Sequence, residues 1–115
     1  MRVTSSLWVA AHIRSCFSAG AFALVEHKGA DEAGAIFIRI DMPNNQAKFF
    51  LPAPQAAYER GSDQRMWEAY KDGAVVDMAE INQLVERERR IDPDSWVVVV
   101  EDREGRSFLG PDLLV

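Results

Sequence analysis

Three hydrophobic patterns divide this chain. Apolar residues recur at helical spacing between Leu7 and Phe17, alternate with others from Ile36 to Asp41, and run together from Trp96 to Val100. The first pattern predicts a helix that begins after Thr4, Ser5 or Ser6 as N-cap and reaches about Ala19. Its expected buried stripe is Leu7, Val9, Ala10, Ile13, Cys16 and Phe17, and Gly20 turns the chain out of it. Residues 21–27 then read as a strand closed by Lys28-Gly29. A hairpin loop is expected over 29–34, which holds two glycines and two acids. In the next strand, 35–41, Ile36, Ile38 and Ile40 share one face, and Phe37, Arg39 and Asp41 share the other.

A turn over 42–45 leads to a third strand at 48–51, which Pro52 and Pro54 end because proline cannot donate to a ladder. Residues 55–64 read as a polar loop, softest at Gly61-Ser62-Asp63. The segment 65–71 fits a short helix or a fourth strand. The strand is preferred, because Gly73 stops the run early. A second helix is expected over 78–90, with Asp77 and Glu80 as a capping box and Asp92-Pro93 as its stop. It should bury Met78, Ile81, Leu84 and Val85, leaving Glu86, Arg87, Arg89 and Arg90 outside. The strand from Trp96 to Glu101 should pair with 106–109 in a hairpin about Arg103-Glu104-Gly105. This order predicts an α+β fold: an antiparallel sheet of about five strands with two helices packed on one face. The other face, to which Phe37, Arg39, Phe50 and Trp67 could belong, is left to water or a partner.

Composition narrows the class. A length of 115 residues suits a single domain spanning 1–115, and 48% apolar with 27% charged residues can fold around a core without disulfide or metal. The lone Cys16 favours a reducing, cytoplasmic setting. His12 and Arg14 interrupt any signal-like apolar run, and nothing approaches the ~20 apolar residues of a membrane span. A net charge of −5 argues against nucleic acid as a partner.

Chemical motifs are sparse. His12 and Cys16 lie four apart and share a helix face; they form either a thiolate–imidazole pair, half a metal site, or a buried cysteine with a histidine at its margin. His27 follows Glu26 at a strand end. The acids at Asp92-Pro93-Asp94 and Glu101-Asp102 suit turns as well as acid/base work. The glycines form neither a dinucleotide fingerprint nor a phosphate loop, and no metal spacing is present, so no cofactor, metal or catalytic residue is assigned. Arg14 and Arg39, each set among apolar neighbours, are candidates for gripping an anion, with an internal pair to Asp41, Asp92 or Asp94 as the alternative. Trp67 and Trp96, like Trp8, are large anchors for a core, a pocket or a partner. The apolar end Leu113-Leu114-Val115 docks on its own domain or on a second subunit.

Leu7-Trp8-Val9, Arg14, the run Gly20-Ala21-Phe22-Ala23, and Asp92-Pro93-Asp94-Ser95-Trp96 through Glu101-Asp102-Arg103-Glu104-Gly105-Arg106 carry a resemblance. Over nearly its full length the chain resembles a family of small bacterial proteins known only as a domain of unknown function. The resemblance implies a bacterial, cytoplasmic, single-domain protein and brings no activity or ligand with it. The expectation is a non-enzymatic binding or protein-interaction module, a homodimer or the partner of another protein. The alternative is a small-molecule (anion) binding protein or enzyme, its pocket between the first helix and the sheet and lined by Arg14, Arg39 and the tryptophans. A third expectation is a thiol role for Cys16.

Overall fold

The structure is a computed structural model and describes residues 3–54 and 64–115. The polar loop expected over 55–64 therefore lies, but for Gln64, outside the described residues. Helix α1 is Ser5–Ser18, helix α2 is Met78–Ile91, and six strands form one sheet. These are β1 (Phe22–His27), β2 (Ile36–Met42), β3 (Gln46–Pro52), β4 (Trp67–Ala69), β5 (Val76–Asp77) and β6 (Trp96–Glu101). The sheet order is β1-β6-β2-β3-β4, with β5 paired to β3.

The α+β class with two helices and a sheet is as expected, but two features differ. First, the sheet is mixed: β6 runs antiparallel to β1 and parallel to β2. Both edges of β6 are thereby occupied, so residues 106–109 form no strand, and neither expected hairpin forms around β6 or between β1 and β2. Second, the helices cover opposite faces. Val9 and Cys16 of α1 pack with Ile36, Ile38, Ile40, Val98 and Val100. Ile81 and Val85 of α2 pack with Phe37, Phe49, Val97 and Val99. A five-residue apolar run with no alternation can bury every side chain only if both faces of its strand are covered. The second face is thus α2's, and it takes Phe37 and Arg39, whereas Phe50 and Trp67 belong to the α1 side.

Local chemistry sets the ends. The Thr4 hydroxyl accepts from the Leu7 N–H and caps α1. The buried stripe of α1 is Ser5, Val9, His12 and Cys16, while Leu7 and Phe17 are exposed. At α2 the N-cap is Asp77, but no capping box closes. Glu80 instead accepts from the Tyr70 hydroxyl at 2.7 Å and pairs with Lys71 Nζ at 2.8 Å. Tyr70 and Lys71 reach it because β4 ends in a tight turn, Tyr70–Gly73, with Lys71, Asp72 and Gly73 in left-handed backbone at φ 50°, 56° and 85°. Segment 65–71 is therefore strand first and turn afterwards. The end of the chain docks on its own fold, where the Val115 N–H donates to the Trp67 carbonyl.

The insertion of β6 between β1 and β2 forces the loop 28–35 to cross its start. There the Ala30 N–H donates to the Asp94 carbonyl, the Trp96 N–H to Ala35, and the Trp96 indole to the Ala30 carbonyl. Gly29 and Gly34 lie so close to the Asp94 carbonyl and the Trp96 ring that a β-carbon at either would collide with backbone. Gly29→Ala and Gly34→Ala are each expected to lower stability by about 2 kcal/mol or more. Urea unfolding should show both effects, whereas Gly20→Ala, with nothing near its β-position, should show only the strain of its positive φ.

Candidate functional site

Of the three tryptophans, Trp67 and Trp96 are buried core residues. Trp67 is 1% exposed and its indole donates to the Ile36 carbonyl at 2.9 Å; Trp96 is 4% exposed and bonded as above. Trp8 lies against Trp67, with ring centroids 4.5 Å apart, and stacks on His12 at 4.8 Å. The space between α1 and the sheet is filled by these rings and the aliphatic core. Arg14 points away from it, onto an open face of α1 shared with Leu7, Ala10, Ala11 and Ser15. Arg39 bonds to Asn82 on the α2 side of the sheet, so the two arginines do not face a common space between α1 and the sheet.

His12 and Cys16 do not act as a pair. The His12 Nε2 makes its hydrogen bond, at 3.1 Å, to the Ser107 carbonyl. Cys16 is fully buried, and burial pushes its thiol pKa up, away from a reactive thiolate. Asp92 and Asp102 serve turns. The Asp92 carboxylate accepts from the Asp94 N–H, and the Asp102 carboxylate accepts from the Arg106 N–H and guanidinium at 2.7–3.1 Å. Those bonds from Arg106 hold Asp102 below its usual pKa.

Arg39 is the centre of the most organised polar cluster. Its side chain leaves β2 on the α2 side and is 10% exposed. Nε and Nη2 bind the two oxygens of Asp41 at 2.6 and 3.2 Å, and Nη1 and Nη2 bind those of Glu26 at 3.1 Å each. Nη1 also donates to the Asn82 side-chain oxygen at 3.2 Å. Burial alone would lower the arginine pKa. The hydrogen bonds and charges of Asp41 and Glu26 outweigh it and hold the pKa above the ordinary value. The internal pairing foreseen for Arg39 is thus with Asp41, joined by Glu26, which sequence reasoning did not connect to it.

Glu26 and Asn82 of this cluster line a groove of about 670 Å³ between the end of β1 and α2. Pairing of β1 with β6 shifts register between Val25 and His27, and this bulge lets the consecutive Glu26 and His27 both line the groove. From α2 come Asn82, Val85, Glu86 and Arg89, residues spaced three and four apart on one helical stripe. That spacing was readable in the sequence; the bulge and the chain crossing that set β1 opposite α2 were not. Among the described residues, no group of three or more His, Cys, Asp or Glu could hold a metal ion. Also among them, no helix is long and apolar enough to cross a membrane.

Two outcomes follow from this geometry. Arg39→Met, which leaves two carboxylates without their cation, is expected to cost about 3 kcal/mol in urea unfolding. Arg39→Lys, which keeps the charge but loses the fork, should cost about 1–2 kcal/mol. His12 gives a pH dependence. Burial lowers its pKa, while the Ser107 carbonyl works partly against that. The stability of the neutral form is complete above about pH 6.5 and is lost as pH falls toward the lower folded pKa. His12→Gln, which keeps a donor for Ser107, should remove this slope from unfolding midpoints measured between about pH 5 and 8.

Residues 3–110 match the family described as "Protein of unknown function (DUF1491)". The solution structure of Atu0922 from A. tumefaciens is 43% identical with a TM-score of 0.75, covering 89% of this chain and 87% of its own. A DUF1491 family protein from Caulobacter crescentus CB15 has a crystal structure with 38% identity and a TM-score of 0.75, covering 93% of this chain and 94% of its own. An NMR structure of a DUF1491 family protein from the same organism is 38% identical, with a TM-score of 0.73 over 95% of this chain and 94% of its own. No curated protein matches. The match over nearly the whole length shows that the chain belongs to the DUF1491 family.

Proposed function

We propose that this DUF1491 protein is a non-enzymatic interaction module whose β1 edge takes up a second copy of the chain. The observation that carries the reading is the state of β1. Among the described residues it is the sheet's outer strand, paired on one side only, with β6. Around its free edge lie Phe17, Phe22, Leu24 and Val25, which are 52%, 48%, 39% and 37% exposed. Phe17 and Phe22 hold each other edge-to-face at 5.6 Å, so the patch is preformed. Long apolar edges are usually blunted by charge or proline, and Phe22–Val25 carries neither. Antiparallel pairing of such an edge with itself is self-complementary about a two-fold axis, which suits a homodimer better than an unrelated strand.

Side chains that could have been catalytic support the non-enzymatic part by their engagements: His12 with Ser107, Asp102 with Arg106, and Cys16 in the core. A cytoplasmic setting, favoured by the single buried cysteine, goes with the same reading.

Light scattering over a concentration series should give twice the monomer mass. Leu24→Lys should give a monomer with unchanged unfolding cooperativity, since Leu24 lies outside the core. A wild-type protein that stays monomeric throughout the series would overturn the dimer.

A further inference from the structure

We infer that the groove between β1 and α2 is a binding site for a small elongated organic anion, with an oxyanion held at Arg89 and a second acceptor held at Asn82. The Asn82 side-chain oxygen is committed to Arg39 Nη1 at 3.2 Å, so its amide N–H donors face away from that bond, on a residue that lines the groove. Arg39 makes five hydrogen bonds to Asp41, Glu26 and Asn82, so this orientation is imposed from beneath by a nearly buried cation.

Arg89 stands two turns along the same helix, about 10 Å away. It lines the groove and, among the described residues, no carboxylate pairs with it. Its Nε is buried and meets no hydrogen-bond acceptor. A buried donor without an acceptor costs free energy, and an arginine fork is the side chain best shaped to receive a carboxylate or phosphoryl group. The other charges nearby are already matched. Arg90 pairs with Glu86 at 3.3 Å, and Glu26 binds Arg39 through both oxygens.

His27 is aimed into the groove by the bulge, its Nε2 4.0 Å from the nearer Glu26 oxygen, and adds a third polar group opposite α2. Val85 lies between the two donors on the α2 wall, 6% exposed, and offers an apolar step for the ligand's body. A groove of about 670 Å³ falls within the usual size of small-molecule sites. The site uses the polar end of β1 and does not depend on pairing at its apolar end.

The shared chemistry is an oxyanion, which a carboxylate or a phosphoryl group can supply. Backbone amide NMR of the labelled protein, titrated with glutarate and with glycerol 3-phosphate at matched ionic strength, separates the two. Saturable shifts at His27 and along 82–90 are expected. Glutarate alone would mark the site as one for carboxylates, glycerol 3-phosphate alone as one for phosphoryl groups, and both as one for either. Arg89→Gln is expected to weaken binding about tenfold or more. Asn82→Asp, which keeps an acceptor for Arg39 but removes the outward donors, should also weaken it in a folded protein. Arg103→Gln, in the turn after β6, should leave it unchanged. Shifts that fail to saturate with either anion, or wild-type affinity retained in both Arg89→Gln and Asn82→Asp, would overturn the site.

Discussion

The structure depends on one strand that is buried from both sides and along both edges. From Trp96 to Val100 every side chain of β6 is buried, with Val98 and Val100 under α1 and Val97 and Val99 under α2. Each buried valine contributes roughly 1.5–3 kcal/mol relative to exposure, so this short run is a large share of the driving force in a small protein. That gain is available only if both edges of β6 are paired, since an unpaired buried peptide group would cancel it. Placement between β1 and β2 satisfies this condition, and it requires loop 28–35 to bridge two strands that are not neighbours. Gly29, Gly34 and the two bonds between Trp96 and the loop follow from that requirement.

The same insertion decides where polar groups can lie. Pushed out by β6, β1 becomes an edge, and Glu26 at its end comes within reach of Arg39 on β2, across the width of β6. Arg39 is opposite Val99 in the pairing of β2 with β6, and its long side chain passes over that valine to the carboxylate. The cation lies on the α2 face, where burial would be costly without partners. Asp41 two residues along the same strand face, Glu26 on β1 and Asn82 on α2 supply them. One guanidinium therefore ties three elements together at the margin of the second core.

Much of this was legible locally and little of it globally. The Ile36/Ile38/Ile40 alternation gave the right faces for β2, and Thr4 and Asp92 marked helix ends as expected. The stripe on α1 was misread because Leu7 and Phe17 are apolar but exposed, whereas Ser5 and His12 are buried through bonds to Gly34 and Ser107, some 29 and 95 residues away. No helical periodicity contains such bonds. The valine run did carry its own signal: four consecutive valines without alternation require two covered faces. A turn at Arg103-Glu104-Gly105 suggested a hairpin more strongly than the run suggested a central strand. The turn is real, but it is closed by Asp102 and Arg106, and the chain beyond it crosses to His12 instead of pairing. For the candidate site, Arg39 was identifiable as a charge in an apolar strand, and Glu86 and Arg89 as outward residues of the second helix, whereas Asn82 was not singled out. Glu26 could not be joined to them, because its position depends on β6 separating the strands and on a bulge.

That bulge also divides β1 into two chemically different halves. Up to Val25 the strand is regular, apolar on both flanks and geometrically able to accept another strand. After it, Glu26 and His27 both line the groove, and a regular ladder cannot continue past an extra residue without losing register. The charged sequence Glu26-His27-Lys28 reinforces the break, since charge at an edge opposes strand addition. An edge contact is thereby confined to the half bearing Phe22 and Leu24, while the polar half remains a wall facing α2. Because Glu26 is clamped by Arg39, the position of this wall is set by the core and not by whatever pairs with the edge. Two surfaces a few residues apart on one strand can therefore act independently.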